Sequence, residues 1–127
     1  MKKGIIILFA ALLCMMTSCT EKFGYKHLDG MWQVQSMTKD GVTERPEGMY
    51  FSFQMNIMEV KQLGVTQFAG SFQYTGGVIH SKFPGMSVEQ AHIFGMKNAE
   101  QEFVVEKLNS DKLILQSDYA RVELRKY

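Results

Sequence analysis

At 127 residues, with 14 lysines and arginines against 13 aspartates and glutamates, the chain has the size of one domain and a net charge of only +1. Its basic residues are dispersed, so neither nucleic acid nor polybasic lipid recognition has a footprint here. There is no internal repeat, and both cysteines lie in the first twenty residues, at Cys14 and Cys19.

The N-terminus opens with Lys2 and Lys3 and continues without charge from Gly4 to Met16. A basic start, a short apolar run and small residues after it describe a secretory signal segment. That run falls short of the roughly 20 residues a membrane-spanning helix needs. At its end, Met15-Met-Thr-Ser-Cys19 resembles the lipobox of bacterial lipoproteins, with Ser18 as the small residue before the cysteine and Met16 departing from the usual leucine. The resemblance implies cleavage after Ser18 and lipid on the sulfur and amino group of Cys19, anchoring the chain to the bacterial outer membrane. Two or more acyl chains make such anchoring stable, at about 0.8 kcal/mol per buried methylene. Cys14, preceded by Leu13 within the apolar run, fits the cleavage rule badly. The expected organisation is a signal peptide over 1–18, a lipidated tether over 19–28 and one domain over 29–127. Cleavage would leave 109 of the 127 residues with one cysteine and, without Lys2 and Lys3, 12 basic residues against 13 acidic ones. No intramolecular disulfide would then support the domain, which must rest on its own core.

Beyond the tether the hydrophobic period is two, as in half-buried strands. Strands are predicted over 31–38, 49–58, 66–75, 78–82, 102–108, 112–116 and 119–127. In the second, Met49, Phe51, Phe53, Met55 and Ile57 share one face; in the third, Phe68, Gly70, Phe72 and Tyr74 do. Turn chemistry at Lys39-Asp-Gly41, Thr75-Gly-Gly77, Asn109-Ser-Asp111 and Ser117-Asp118 separates them. Residues 41–48, with Pro46 and several charges, read as a long loop. One segment breaks the period: Ser87 and Gln90 form a capping box, and Gly95 a stop, predicting a helix over 88–94. The pattern predicts an all-β, up-and-down antiparallel barrel of seven or eight strands with one short helix.

The stretch Leu28-Asp-Gly-Met-Trp32 is similar to the start of lipocalin-like domains, whose first strand opens on Gly-x-Trp, here Gly30, Met31 and Trp32. The ending from Asp111 to Tyr127 resembles the terminal hairpin of small lipocalin-like lipoproteins of Bacteroidetes. The resemblance spans 29–127 and implies a lipocalin-like β-barrel. It also implies that Trp32 closes the barrel floor against a basic residue of the last strand, Arg121 or Arg125, by a cation–π contact. A plain buried aromatic is the alternative role for Trp32. The chain is shorter than ligand-carrying lipocalins and lacks their paired cysteines.

Catalytic signatures are absent from the sequence. His27, His80 and His92 show no metal-ligand spacing, no Gly-x-Ser-x-Gly elbow occurs, and no Lys-Ser/Thr follows Gly76-Gly77. Glu100 and Glu102 read as exposed strand residues. The expectation is a protein that is not an enzyme and takes no cofactor or metal. Trp32, Phe51, Phe53, Met55, Phe68, Phe72 and Tyr74 are the candidates to line the interior. They would either fill it as core or hold a small hydrophobic ligand. With a filled barrel, the alternative is a protein-interaction module, an envelope complex subunit or an enzyme inhibitor, docking through 41–48 or 83–98. The anchor is tested in cells: Cys19→Ala should abolish lipid labelling and release the protein from membranes, whereas Cys14→Ala should change neither. The reverse pattern would contradict the assignment.

Overall fold

The computed structural model describes residues 27–127, so the expected signal segment, Cys14 and Cys19 lie outside the described residues. The strands are β1 (Gly30–Lys39), β2 (Val42–Glu44), β3 (Met49–Gln54), β4 (Ile57–Gln62), β5 (Thr66–Thr75), β6 (Val78–Lys82), β7 (Glu100–Leu108), β8 (Lys112–Gln116) and β9 (Arg121–Lys126). Helix α1 (Val88–Ile93) lies between β6 and β7. All neighbouring strands run antiparallel, and β1 also pairs with β9, which closes the sheet. β2 pairs with Met37–Lys39 of β1 and β3 with Gly30–Gln33, so the two short strands act as one interrupted stave. The result is the predicted all-β, up-and-down barrel, with eight staves and a short helix.

Alternation sets the inner face. Met49, Phe51 and Phe53 of β3 are buried, as are Met58 and Val60 of β4 and Val122 and Leu124 of β9. A bulge between Val34 and Ser36 shifts the β1–β9 register and another between Val105 and Lys107 the β7–β8 register, local kinks of the kind that let a sheet coil. At Gly70 a Cβ would lie 2.2 Å from the Lys82 carbonyl oxygen and 2.7 Å from the Phe83 ring. Only a residue without a side chain lets the chain leave β6 there and turn across the barrel.

Two sequence expectations are corrected. The strand predicted over 49–58 is two strands, because Met55 and Asn56 take positive φ angles of 50° and 65° and form a two-residue hairpin turn between Gln54 and Ile57. Met55 is consequently at the hairpin tip, and β4 takes the last two residues of the predicted run together with 59–62, which were left unassigned from the sequence. The loop predicted over 41–48 begins with β2, an exposed ribbon held to β1 through the Asp40-Gly41 turn.

Helix α1 starts as its sequence dictates. The Ser87 hydroxyl accepts from the Gln90 backbone N–H at 3.1 Å, and the Gln90 side-chain oxygen accepts from the Ser87 N–H at 2.9 Å. It ends at Ile93, one residue before the predicted end at Phe94. Strand directions place it at the end of the barrel where β1 finishes and β9 starts, called the mouth below. The other end, where β1 starts at Gly30, is the floor.

Candidate functional site

The interior is the natural place to look for a ligand, and the chain's own side chains occupy it. Trp32, Phe51 and Phe53 have no accessible surface and Phe72 has 2%. A side chain with no accessible surface borders no void that a water molecule could enter. Phe53 meets Phe72 edge-on at 5.2 Å between ring centres. Phe68 and Tyr74 pack against the same cluster while partly exposed. Six of the seven residues expected to line the interior are therefore brought together. Met55 is not: at the hairpin tip it is 80% exposed, because the turn reverses the chain before the period-two face can continue.

The mouth is closed by the segment between β6 and β7. Phe83, Ala91, Phe94 and Met96 are fully buried and Met86 nearly so. The Phe94 ring reaches inward to 6.4 Å from both Phe51 and Phe68. Polar contacts fix the segment's backbone: the Ser117 hydroxyl donates to the Gly95 carbonyl at 2.8 Å, and the Lys39 ammonium to the His92 carbonyl at 2.8 Å. The His92 ring stacks on Tyr119 at 4.3 Å. Burying one phenylalanine contributes about 1.5–3 kcal/mol, so this plug is part of the core.

At the floor, the Trp32 indole N–H donates to the Leu28 carbonyl at 2.8 Å, and Leu28 itself is buried. The domain thus includes Leu28, which the sequence reading assigned to the tether. The basic partner of Trp32 is Lys126, with its ammonium 4.5 Å from the ring centre. Neither Arg121 nor Arg125 takes that place: in β9 the inward parity is Val122, Leu124, Lys126, and both arginines point outward. Lys126 also donates to the His27 carbonyl at 3.3 Å and to the Asp29 carbonyl. Burial lowers its pKa from the ordinary lysine value, and the Asp29 carboxylate opposes that shift. Gly30 itself has a φ of 123°, a backbone conformation that side-chain-bearing residues rarely adopt, which accounts for the glycine of the Gly-x-Trp motif; a Cβ there would also sit 2.7 Å from the Lys126 ammonium.

A family model described as a lipocalin-like domain matches residues 14–127. The chain belongs to the lipocalin-like family. Among solved structures, a lipocalin-like protein from Bacteroides uniformis is 26% identical, with a TM-score of 0.68 over 80% of this chain and 99% of that one. An uncharacterized protein from Bacteroides eggerthii, 20% identical, shares the fold with a TM-score of 0.64 over 79% and 99% of the two chains. No curated protein matches.

The concave features described on this lipocalin-like barrel lie on its outer wall. A groove of about 530 Å³ starts at Asn56 of the β3–β4 hairpin tip and crosses β5, β6 and β7, lined by the cross-strand rows Ser71–Lys82–Glu100 and Gln73–His80–Glu102 with Phe72, Ser81 and Gln101 between them. A second, of about 490 Å³, shares Glu100, Gln101 and Glu102 and continues to Asp118. His80 Nδ1 lies 3.3 Å from Glu102 Oε1, with both side chains about half exposed or more. Such a pair contributes little to stability. Gln101, nearly buried beneath the groove, donates to Asp118 and to the Glu102 carbonyl, and accepts from the Lys97 N–H. No cluster of three or more His, Cys, Asp or Glu placed to hold a metal ion occurs among the described residues.

Sequence reasoning missed Lys126, the plug and the outer groove. The first was available from parity, since Lys126 stands two residues beyond Leu124. The floor contact is tested by Lys126→Met, which should lower stability by roughly 1–2 kcal/mol in urea unfolding, as expected for a desolvated cation–π contact. Arg125→Met should leave the midpoint nearly unchanged. Equal effects would contradict the assignment of Lys126.

Proposed function

We propose that this protein is a lipid-anchored, non-catalytic binding protein of the bacterial outer membrane that acts through its outer surface rather than by carrying a ligand inside the barrel. The observation behind this reading is the plugged mouth, where Phe83, Phe94 and Met96 have no accessible surface. A carrier's entrance would be open or lined by loosely held side chains. Around that mouth the exposed apolar residues are Val42 on β2, Leu63 and Val65 in the β4–β5 turn, and Val88 at the start of α1. Two of these fall in the segments 41–48 and 83–98 expected to dock a partner. Exposed apolar side chains on a rim held by a rigid sheet suit a protein partner, whether an envelope complex subunit or an enzyme to be inhibited.

One observation favours the other reading, a small hydrophobic ligand. Met37, Met49, Met58, Met86 and Met96 are all buried, and methionine-rich interiors can re-pack around a guest. Native mass spectrometry of the mature lipoprotein, gently extracted from its host, separates the two. The surface reading predicts the mass of protein and lipid anchor alone, while a co-purifying apolar molecule would support the carrier. In vitro, the wild type should not bind a small apolar fluorescent probe, whereas Phe94→Ala should, because it removes the ring that occupies the space between Phe51 and Phe68. Probe binding by both alike would overturn the filled-barrel account. A photo-crosslinker at position 88 should capture a discrete protein adduct in host cells, and its failure there and at position 63 would overturn the partner reading.

A further inference from the structure

We infer that the barrel floor is a membrane-contacting surface, with the β3–β4 hairpin tip, Met55 and Ile57, seated at the apolar–polar boundary of the bilayer. The inference rests on the proposed lipid anchor at Cys19 and adds an orientation and a contact surface to it.

Three observations converge on the floor. The first concerns where the chain leaves the domain. His27 and Leu28 lie at the floor, where Lys126 donates to the His27 carbonyl and Trp32 to that of Leu28. From Cys19 to His27 there are eight residue steps, at most about 28 Å of extended chain. The floor can touch the bilayer with slack in this tether. For the mouth to touch it, the tether would have to run back along the barrel wall, and β1, with ten residues, is itself about 33 Å long.

The second observation is the composition of the tip. Met55 is 80% exposed and Ile57 55%, on either side of Asn56. The left-handed conformation at Met55 favours Asn, Asp or Gly, and β-turn tips in water are commonly polar. Neither side chain is buried within the barrel, so folding does not account for apolar residues here. Insertion of a few ångströms into the interface does. The third observation is Tyr127, 77% exposed, whose N–H donates to the Met31 carbonyl at 3.0 Å at this same end and whose ring meets Tyr50 edge-on at 5.2 Å on the outer wall beside it. An amphipathic ring suits the headgroup level.

The charges nearby are mixed. Lys107, Lys112 and Arg125 are exposed towards the floor, with Asp29 and Asp111 among them. That balance favours apolar seating over attraction to anionic headgroups, and a zwitterionic bilayer should therefore suffice.

The chemistry of the mature protein provides a clean test. With Cys14 removed and the Cys19 sulfur acylated, Met55→Cys and Val88→Cys would each carry the sole free thiol. The lipidated variants, labelled with an environment-sensitive nitrobenzoxadiazole dye, are reconstituted into phosphatidylcholine vesicles containing a nitroxide-bearing lipid. The expected result is a blue-shifted dye at position 55, quenched several-fold more than at position 88 on the mouth. Equal quenching, or stronger quenching at 88, in protein that floats with the vesicles overturns the inference and leaves the anchor standing. Wild-type protein that takes up the dye at Cys19, or fails to float, removes the anchor and the inference together.

Discussion

Phe94 inside the mouth is the contact on which the character of this molecule depends. A closed eight-stave barrel must fill its interior with side chains or leave a cavity, and this chain does the filling from two sources. The strands contribute Trp32, Phe51, Phe53, Phe72 and Phe103, while the segment between β6 and β7 contributes Phe83, Phe94 and Met96 from above. The Phe94 ring lies 6.4 Å from both Phe51 and Phe68, which stand on one cross-strand row with Val60 between them, so the segment acts as an internal layer of core. In an open-mouthed barrel that volume would belong to a ligand. Here it belongs to the fold, and the surfaces left for recognition are outside.

Those outer surfaces are unlike at the two ends. The floor is sealed by a compact arrangement of Trp32, Leu28 and Lys126, in which an ammonium satisfies backbone carbonyls while facing an indole. The mouth carries α1 and the tips of β2 and the β4–β5 hairpin, with apolar side chains on its rim. Between the ends, the wall of β5, β6 and β7 offers a groove of polar residues whose mutual contacts are weak and solvent-exposed. An anchored domain with a seated floor would present the mouth away from the membrane, with the groove running from the seated hairpin tip at Asn56 up the wall. This arrangement would make the barrel a pedestal rather than a container.

Much of the fold was legible because alternation is a local signal. Phe51 and Phe53, or Val122 and Leu124, declare their face through their immediate neighbours, and the Ser87–Gln90 capping box declares the helix. Errors came where two local signals overlapped. The period-two run continues through Met55 and Ile57, and it hid a turn that Asn56, with no glycine beside it, marks only weakly. β2 was invisible because its three residues are exposed and show no alternation of burial. The candidate site was less legible than the fold. Whether Phe94 points into the barrel depends on how a loop crosses over a mouth, a long-range matter that spacing does not encode. Choosing Lys126 over Arg121 or Arg125 required only parity, since Lys126 shares the inward face of β9 with Val122 and Leu124.

The central claim is that the plug belongs permanently to the core, and native-state hydrogen exchange measures this most directly. The amides of Ala91, Phe94 and Met96 donate to backbone carbonyls within the segment at 2.9, 3.1 and 2.9 Å. A plug that is core should exchange these protons only through global unfolding, with the same free energy as the amides of Phe51 and Leu124 in the barrel wall. Exchange of the plug amides at a distinctly lower free energy, while the wall stays protected, would reveal a lid that opens and would contradict the account.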